Sequence, residues 1–186
     1  MLGCTASSGP DSPATRVSTT MSRAVVQEVK EVYLLLSTPG GGTREGTNLY
    51  NVLKGMPFDL TIHNVGSVSS IGNAVFLAGG KRYAASSFVF MFHGVGFTIS
   101  QQTRLEEKHL RERLDEVSSD QKRIGGIITE NSNLTEQEVA DLFLTQQTKD
   151  ADWAVDKGIV DEIRDVQIPN GVPMVSLVFQ RQAVGL

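Results

Sequence analysis

Cysteine is almost missing from this 186-residue chain: Cys4 is the only one. No internal disulfide can staple the fold, so a small disulfide-framed secreted scaffold is excluded. Charge is sparse as well. Charged residues make up 20% and leave a net charge of −4, which gives nucleic-acid binding no electrostatic footing. No apolar run approaches the roughly 18 residues that a membrane-spanning helix needs. The N-terminus shows neither the basic start nor the apolar core of a signal peptide, so the expected protein is soluble and cytoplasmic, with no membrane partner. Aromatic residues are few, at 6%, yet 40% of the chain is apolar and 18 glycines add to it. That composition is globular, and the length suits one domain.

What is present falls into segments. Residues 1–20 are rich in Ser, Thr, Gly and Pro and read as a flexible leader. From Met21, the spacing of Met21, Val25 and Val29 predicts a short helix. Val32 to Leu36 is a continuous apolar run, the pattern of a strand buried on both faces, and it stops at Pro39-Gly40-Gly41-Gly42. Leu49, Val52, Leu53 and Met56 then fall at helical spacing. The cycle repeats with a strand over 58–63, a loop over 66–70, an apolar helix over 71–78 and a third strand over 88–92 that ends at His93. Strands alternating with helices predict an α/β protein of βαβ units with a mostly parallel sheet.

After residue 100 the pattern changes. Leu105, Leu110, Leu114, Val117, Ile124 and Ile128 predict a long amphipathic helix with a bend at Gly125-Gly126. Thr135 and Glu138 form a capping box for the next helix. A last helix stops at Gly158 and leads into a strand over 159–163. The stretch 174–179 is expected to add an edge strand or to bind a neighbour. The expected organisation is therefore a leader over 1–20, a domain over 21–165 and a tail over 166–186.

Three strand ends carry residues with chemical promise, and open α/β sheets bind ligands beyond the carboxyl ends of their strands. The glycines of Pro39-Gly40-Gly41-Gly42 let backbone N–H groups approach an oxyanion or a phosphate; a tight turn is the plainer reading. No Gly-Lys-Ser/Thr follows, so this is no Walker loop. Ser70 ends the run Gly66-Ser67-Val68-Ser69-Ser70 at a predicted helix start. There a serine is either a cap or a nucleophile beside free N–H groups. His93 is either a satisfied core residue or the base that such a serine requires near neutral pH.

Taken together these motifs resemble the proteolytic subunit of the Clp protease, within the Clp/crotonase superfamily. The family's Ser-Pro-Gly-Gly corresponds to Thr38-Pro39-Gly40-Gly41. Its Gly-x-x-x-Ser-Met-Gly corresponds to Gly66 through Ser70-Ile71-Gly72. Lys81-Arg82-Tyr83-Ala84, Met91-Phe92-His93 and Gly158-Ile159-Val160-Asp161 follow in order. The resemblance implies a Clp/crotonase-like fold of repeated ββα and βαβ units with a projecting handle helix over about 101–131. It implies a serine endopeptidase in which Ser70 is the nucleophile and His93 the base, with the amides of Gly41 and Ile71 as the oxyanion hole. No metal or organic cofactor is needed. The implied partners are polypeptide substrates, further copies of the chain in stacked rings, and a separate AAA+ unfoldase.

Three departures from the family accompany the match. The acid of the triad is expected twelve residues before Gly158, where this chain has Gln146; Asp141 and Asp150 are the nearby carboxylates. The leader stands in place of a first strand. Asn73 and Gly94-Val95-Gly96 replace residues expected around the substrate groove. These departures keep two alternatives open, a catalytically weak or inactive Clp-like subunit and a Ser-Lys peptidase using Lys81.

Overall fold

A computed structural model describes residues 12–98 and 104–178. The described part opens on a helix, α1 (Pro13–Val26), where a flexible leader is expected. Ser12 caps it, its Oγ accepting from the Thr15 amide at 3.2 Å, and Pro13 holds the first turn. Ala14, Val17 and Met21 are buried against the core. The leader reading is thus corrected for residues 13–20: their composition is loop-like, but the apolar spacing i, i+3, i+7 is helical. Residues 1–11 lie outside the described part.

The next elements are β1 (Glu31–Thr38), α2 (Thr43–Lys54), β2 (Asp59–Ser69), α3 (Gly72–Phe76), β3 (Lys81–Ala84) and β4 (Val89–Met91). After them come α4 (Glu107–Glu130), α5 (Glu136–Thr145), β5 (Thr148–Lys149), α6 (Ala151–Asp156) and β6 (Glu162–Ile163). The long strand β2 organises the sheet. Along one edge it pairs in parallel with β1. Along the other, its first half pairs with β3 and its last three residues with β4, again in parallel. β6 adds to β3, and β5 adds to β4 in the one antiparallel pairing among the described residues. The mostly parallel α/β sheet read from the sequence is the one observed.

Several expectations shift in detail. β1 pairs only with β2 among the described residues, so it is an edge rather than a strand buried on both faces, and Tyr33 is 42% exposed. β2 continues through the predicted loop to Ser69. The register slips there from Leu36↔Asn64 to Thr38↔Val68, so the extra residues of β2 bulge without ending the strand. Lys81–Ala84, noted in the sequence only as a family stretch, is a strand. Met174 to Val178 forms no strand, and Met174, Val175 and Val178 are exposed; Phe179 lies outside the described residues.

The long helix is as expected, though it runs unbroken through Gly125-Gly126. Its 24 residues span roughly 36 Å at 1.5 Å per residue. Only Ile124, Ile127 and Ile128 are buried, all in the last two turns, and Leu110 and Leu114 are exposed. Ion pairs such as Arg111–Glu107 and Arg113–Glu116 line the solvated face. Each adds little in water. The helix therefore projects, anchored at its C-terminal end and by a 2.5 Å hydrogen bond from Thr43 Oγ1 to Asp120. Residues 101–103, included in the predicted handle, lie outside the described part.

Candidate active site

The site forms where β1, β2 and β4 end together. Parallel pairing puts their carboxyl ends at one edge of the sheet, so the three loops singled out in the sequence meet. Gly41, Ser70, Ile71, His93 and Gly94 all line one cleft, closed by Phe92, Val95, Ile124 and Phe143.

Ser70 follows directly on β2 with φ +58, a left-handed conformation that is uncommon away from glycine. Its amide donates to Met91 O at 2.8 Å, and its carbonyl accepts from the Asn73 amide at 3.0 Å. The turn reverses the chain at the strand end and gives Ser70, unlike Ser67 and Ser69, a place in the cleft. Ser69 is buried within β2, and the Ser67 and Ser69 hydroxyls lie 3.1 Å apart. Gly40 explains why this turn fits: a Cβ there would stand 2.6 Å from Ser70 Cβ, and its φ is +92. Glycine at 40 brings the first loop against the serine.

The Gly41 and Ile71 amides take no part in the turn and cap hydrogen bonds around them. Ile71 buries its side chain in the core, which leaves its backbone at the cleft. Two amides from different loops on one cleft are suited to an oxyanion developing beside the serine.

His93 stands two residues beyond β4 and is partly buried. Its Nδ1 lies 2.7 Å from Gly94 O. A carbonyl can only accept, so in the neutral imidazole Nδ1 carries the proton and Nε2 is the acceptor. That tautomer is the one a general base needs. Among the described residues no carboxylate makes a hydrogen bond to His93.

The antiparallel β4–β5 register bears on the third position. Phe90 pairs with Lys149 and Met91 with Thr148. Phe92 N donates to Gln147 O at 2.8 Å. The ladder ends there, and Gly94 N donates instead to Phe143 O at 3.0 Å; Gln146, the position expected for the acid, makes no hydrogen bond to His93 among the described residues. Gln146 ends α5 in a left-handed conformation, φ +51, and is exposed. The two nearby aspartates have other duties. Asp150 caps α6, accepting from the Trp153 amide at 2.9 Å, and Asp141 accepts from Gln137 on the face of α5. Lys81 is excluded by the register: it pairs with Thr61 at the far end of β2, roughly 25 Å of strand from Ser70.

A second histidine, His63, lies in β2 away from the cleft. It is fully buried, with Nδ1 at 2.7 Å from the Tyr33 hydroxyl and Nε2 without a partner. Burial pushes its pKa below the usual value. Asn73, expected around a substrate groove, is instead buried beneath the Ser70 turn. Sequence spacing carried no sign of that place.

A curled, mostly parallel sheet gathers a serine, a histidine and two backbone amides without a hydrogen-bond partner among the described residues at its strand ends, an architecture compatible with a hydrolase. The profile of the family described as Clp protease matches residues 10–167, and the chain belongs to that family. Over 144 residues it is 28% identical to the "ATP-dependent Clp protease proteolytic subunit 1" of Leifsonia xyli subsp. xyli, covering 73% of this chain and 68% of the relative. No helix among the described residues is long and apolar enough to cross a membrane.

Proposed function

We propose that this Clp-family protease is a serine-type endopeptidase in which Ser70 and His93 form the reacting pair. The observation that carries the reading is their meeting in one cleft with the unpaired amides of Gly41 and Ile71. His93 Nε2 takes the proton of Ser70 Oγ as that oxygen attacks the peptide carbonyl carbon. The carbonyl oxygen becomes an oxyanion held by the two amides. When the C–N bond breaks, the imidazolium gives its proton to the leaving amine. Water then attacks the acyl-serine ester with His93 again as base, releasing the carboxylic acid and restoring Ser70.

These steps use side chains and amides of this chain without a metal or organic cofactor. The projecting α4, with Leu110 and Leu114 exposed, supports assembly of copies into stacked rings. An ATP-consuming AAA+ unfoldase would be a separate partner, as the relative's name suggests. By the same kinship we place the protein in the cytoplasm.

One observation favours a second reading. Among the described residues no carboxylate hydrogen-bonds His93, whose Nδ1 faces the Gly94 carbonyl instead, which is what a weak or inactive subunit within a mixed assembly would show. Hydrolysis of a fluorogenic peptide by the purified chain separates the two. The first reading predicts turnover that His93→Ala lowers by about a thousandfold or more. Turnover that survives His93→Ala excludes it.

A further inference from the structure

We propose that Asn73 is a positioning residue for the Ser70–His93 pair, an inference that rests on the serine-peptidase reading above. Asn73 is 2% exposed. Its Nδ2 donates to two carbonyls, Ser70 O at 3.0 Å and Met91 O at 2.8 Å. Met91 O also receives the Ser70 amide at 2.8 Å, and Ser70 O receives the Asn73 amide at 3.0 Å. The result is a closed cycle: Ser70 N–H and Asn73 Nδ2 both donate to Met91 O, and Asn73 Nδ2 also donates to Ser70 O. One side chain thereby locks the strained nucleophile turn to the strand that presents His93 two residues later.

The amide orientation is fixed by chemistry. Turned over, it would set Oδ1 against two carbonyl oxygens, none of which can donate. As placed, Oδ1 is buried with no partner. An unpartnered buried acceptor opposes folding, so an alanine here would spare the fold that cost while dissolving the cycle. The gain from asparagine lies in the geometry it holds. A serine at φ +58 keeps that conformation only where its surroundings over-determine it, and Asn73 supplies two of the contacts that do so. Its role is indirect, since it lies under the turn and is not among the residues lining the cleft.

The test compares wild type, Asn73→Ala and Asn73→Ser for the second-order rate of fluorophosphonate labelling, peptide kcat and KM, melting temperature and assembly by light scattering. Asn73→Ala is expected to label at least about tenfold more slowly and to lose kcat with KM unchanged, because displacement of reacting groups by an ångström costs rate rather than binding. Its melting temperature and assembly should stay near wild type, which a purely structural residue would not combine with lost kcat. Asn73→Ser keeps one hydroxyl donor and should fall between; should the alanine variant fail to fold, its rate decides. Labelling of a folded variant at the wild-type rate overturns the proposal and leaves the peptidase reading intact. A wild type that is neither labelled nor active overturns both.

Discussion

Ser70 and Gln146 are both non-glycine residues in left-handed backbone at the ends of regular elements, with φ +58 and +51. Their surroundings differ. Ser70 is held by three hydrogen bonds, two of them from Asn73. Gln146 is exposed and makes one bond, from its amide to Leu142 O, as ordinary helix caps do. A similar positive φ is thus held by several hydrogen bonds in one place and is a helix end in the other. On the nucleophile side the fold fixes geometry. On the third-residue side it leaves His93 oriented by the carbonyl of its own neighbour, Gly94.

Adding charge at the loose end is the strongest way to alter that contrast. Asp tolerates left-handed backbone, so Gln146→Asp should fold and put a carboxylate at the position where the family resemblance expects the acid. Peptide turnover is expected to rise by about severalfold, less than a buried triad acid contributes, because position 146 is exposed and its charge is screened. An unchanged rate would mean that the Gly94 carbonyl already suffices or that the register fails to bring the two together. The smaller effect comes from Asp150→Ala. Loss of the α6 cap should cost about 1 kcal/mol and lower the melting temperature by about 2–4 °C, with peptidase activity retained. Abolished activity in that variant, or in Asp141→Ala, would make that aspartate the acid and break the comparison.

A gentler effect, a pH dependence of stability, comes from the core away from the cleft. Burial holds the His63 pKa below its unfolded value near 6.5, so the unfolded chain binds more protons just below that pH. Stability should therefore be complete above about 6.5 and decline as pH falls toward the folded pKa. His63 is flanked by Tyr33 and Tyr83, with Arg164 over the Tyr83 ring. His63→Leu should flatten the slope of denaturant midpoint against pH between 6.5 and 5. An identical slope would assign the dependence to other groups.

Much of this molecule was legible in its sequence, for physical reasons. The alternation of apolar runs with glycine-rich loops fixes strand–helix order, and parallel pairing then forces the loops after β1, β2 and β4 together, which is why Gly41, Ser70, Ile71 and His93 share a cleft. The first helix was read only from Met21 onward, because Ser, Thr and Pro are frequent in its earlier turns, where Ala14 and Val17 carry the core face. The continuation of β2 to Ser69 depends on a bulge against β1, a pairing property that no local pattern encodes. Asn73 was visible only as a departure from the family, since its role comes from two carbonyls, one of them eighteen residues away.

The most direct test of the central claim is where a fluorophosphonate attaches. The purified, assembled protein should yield one adduct after digestion and mass spectrometry, on Ser70. Ser70→Ala should abolish the adduct and peptide hydrolysis with assembly intact, while Ser67→Ala and Ser69→Ala, whose hydroxyls face each other within β2, retain both. An adduct on another loop serine, or none on the assembled wild type, would contradict the account.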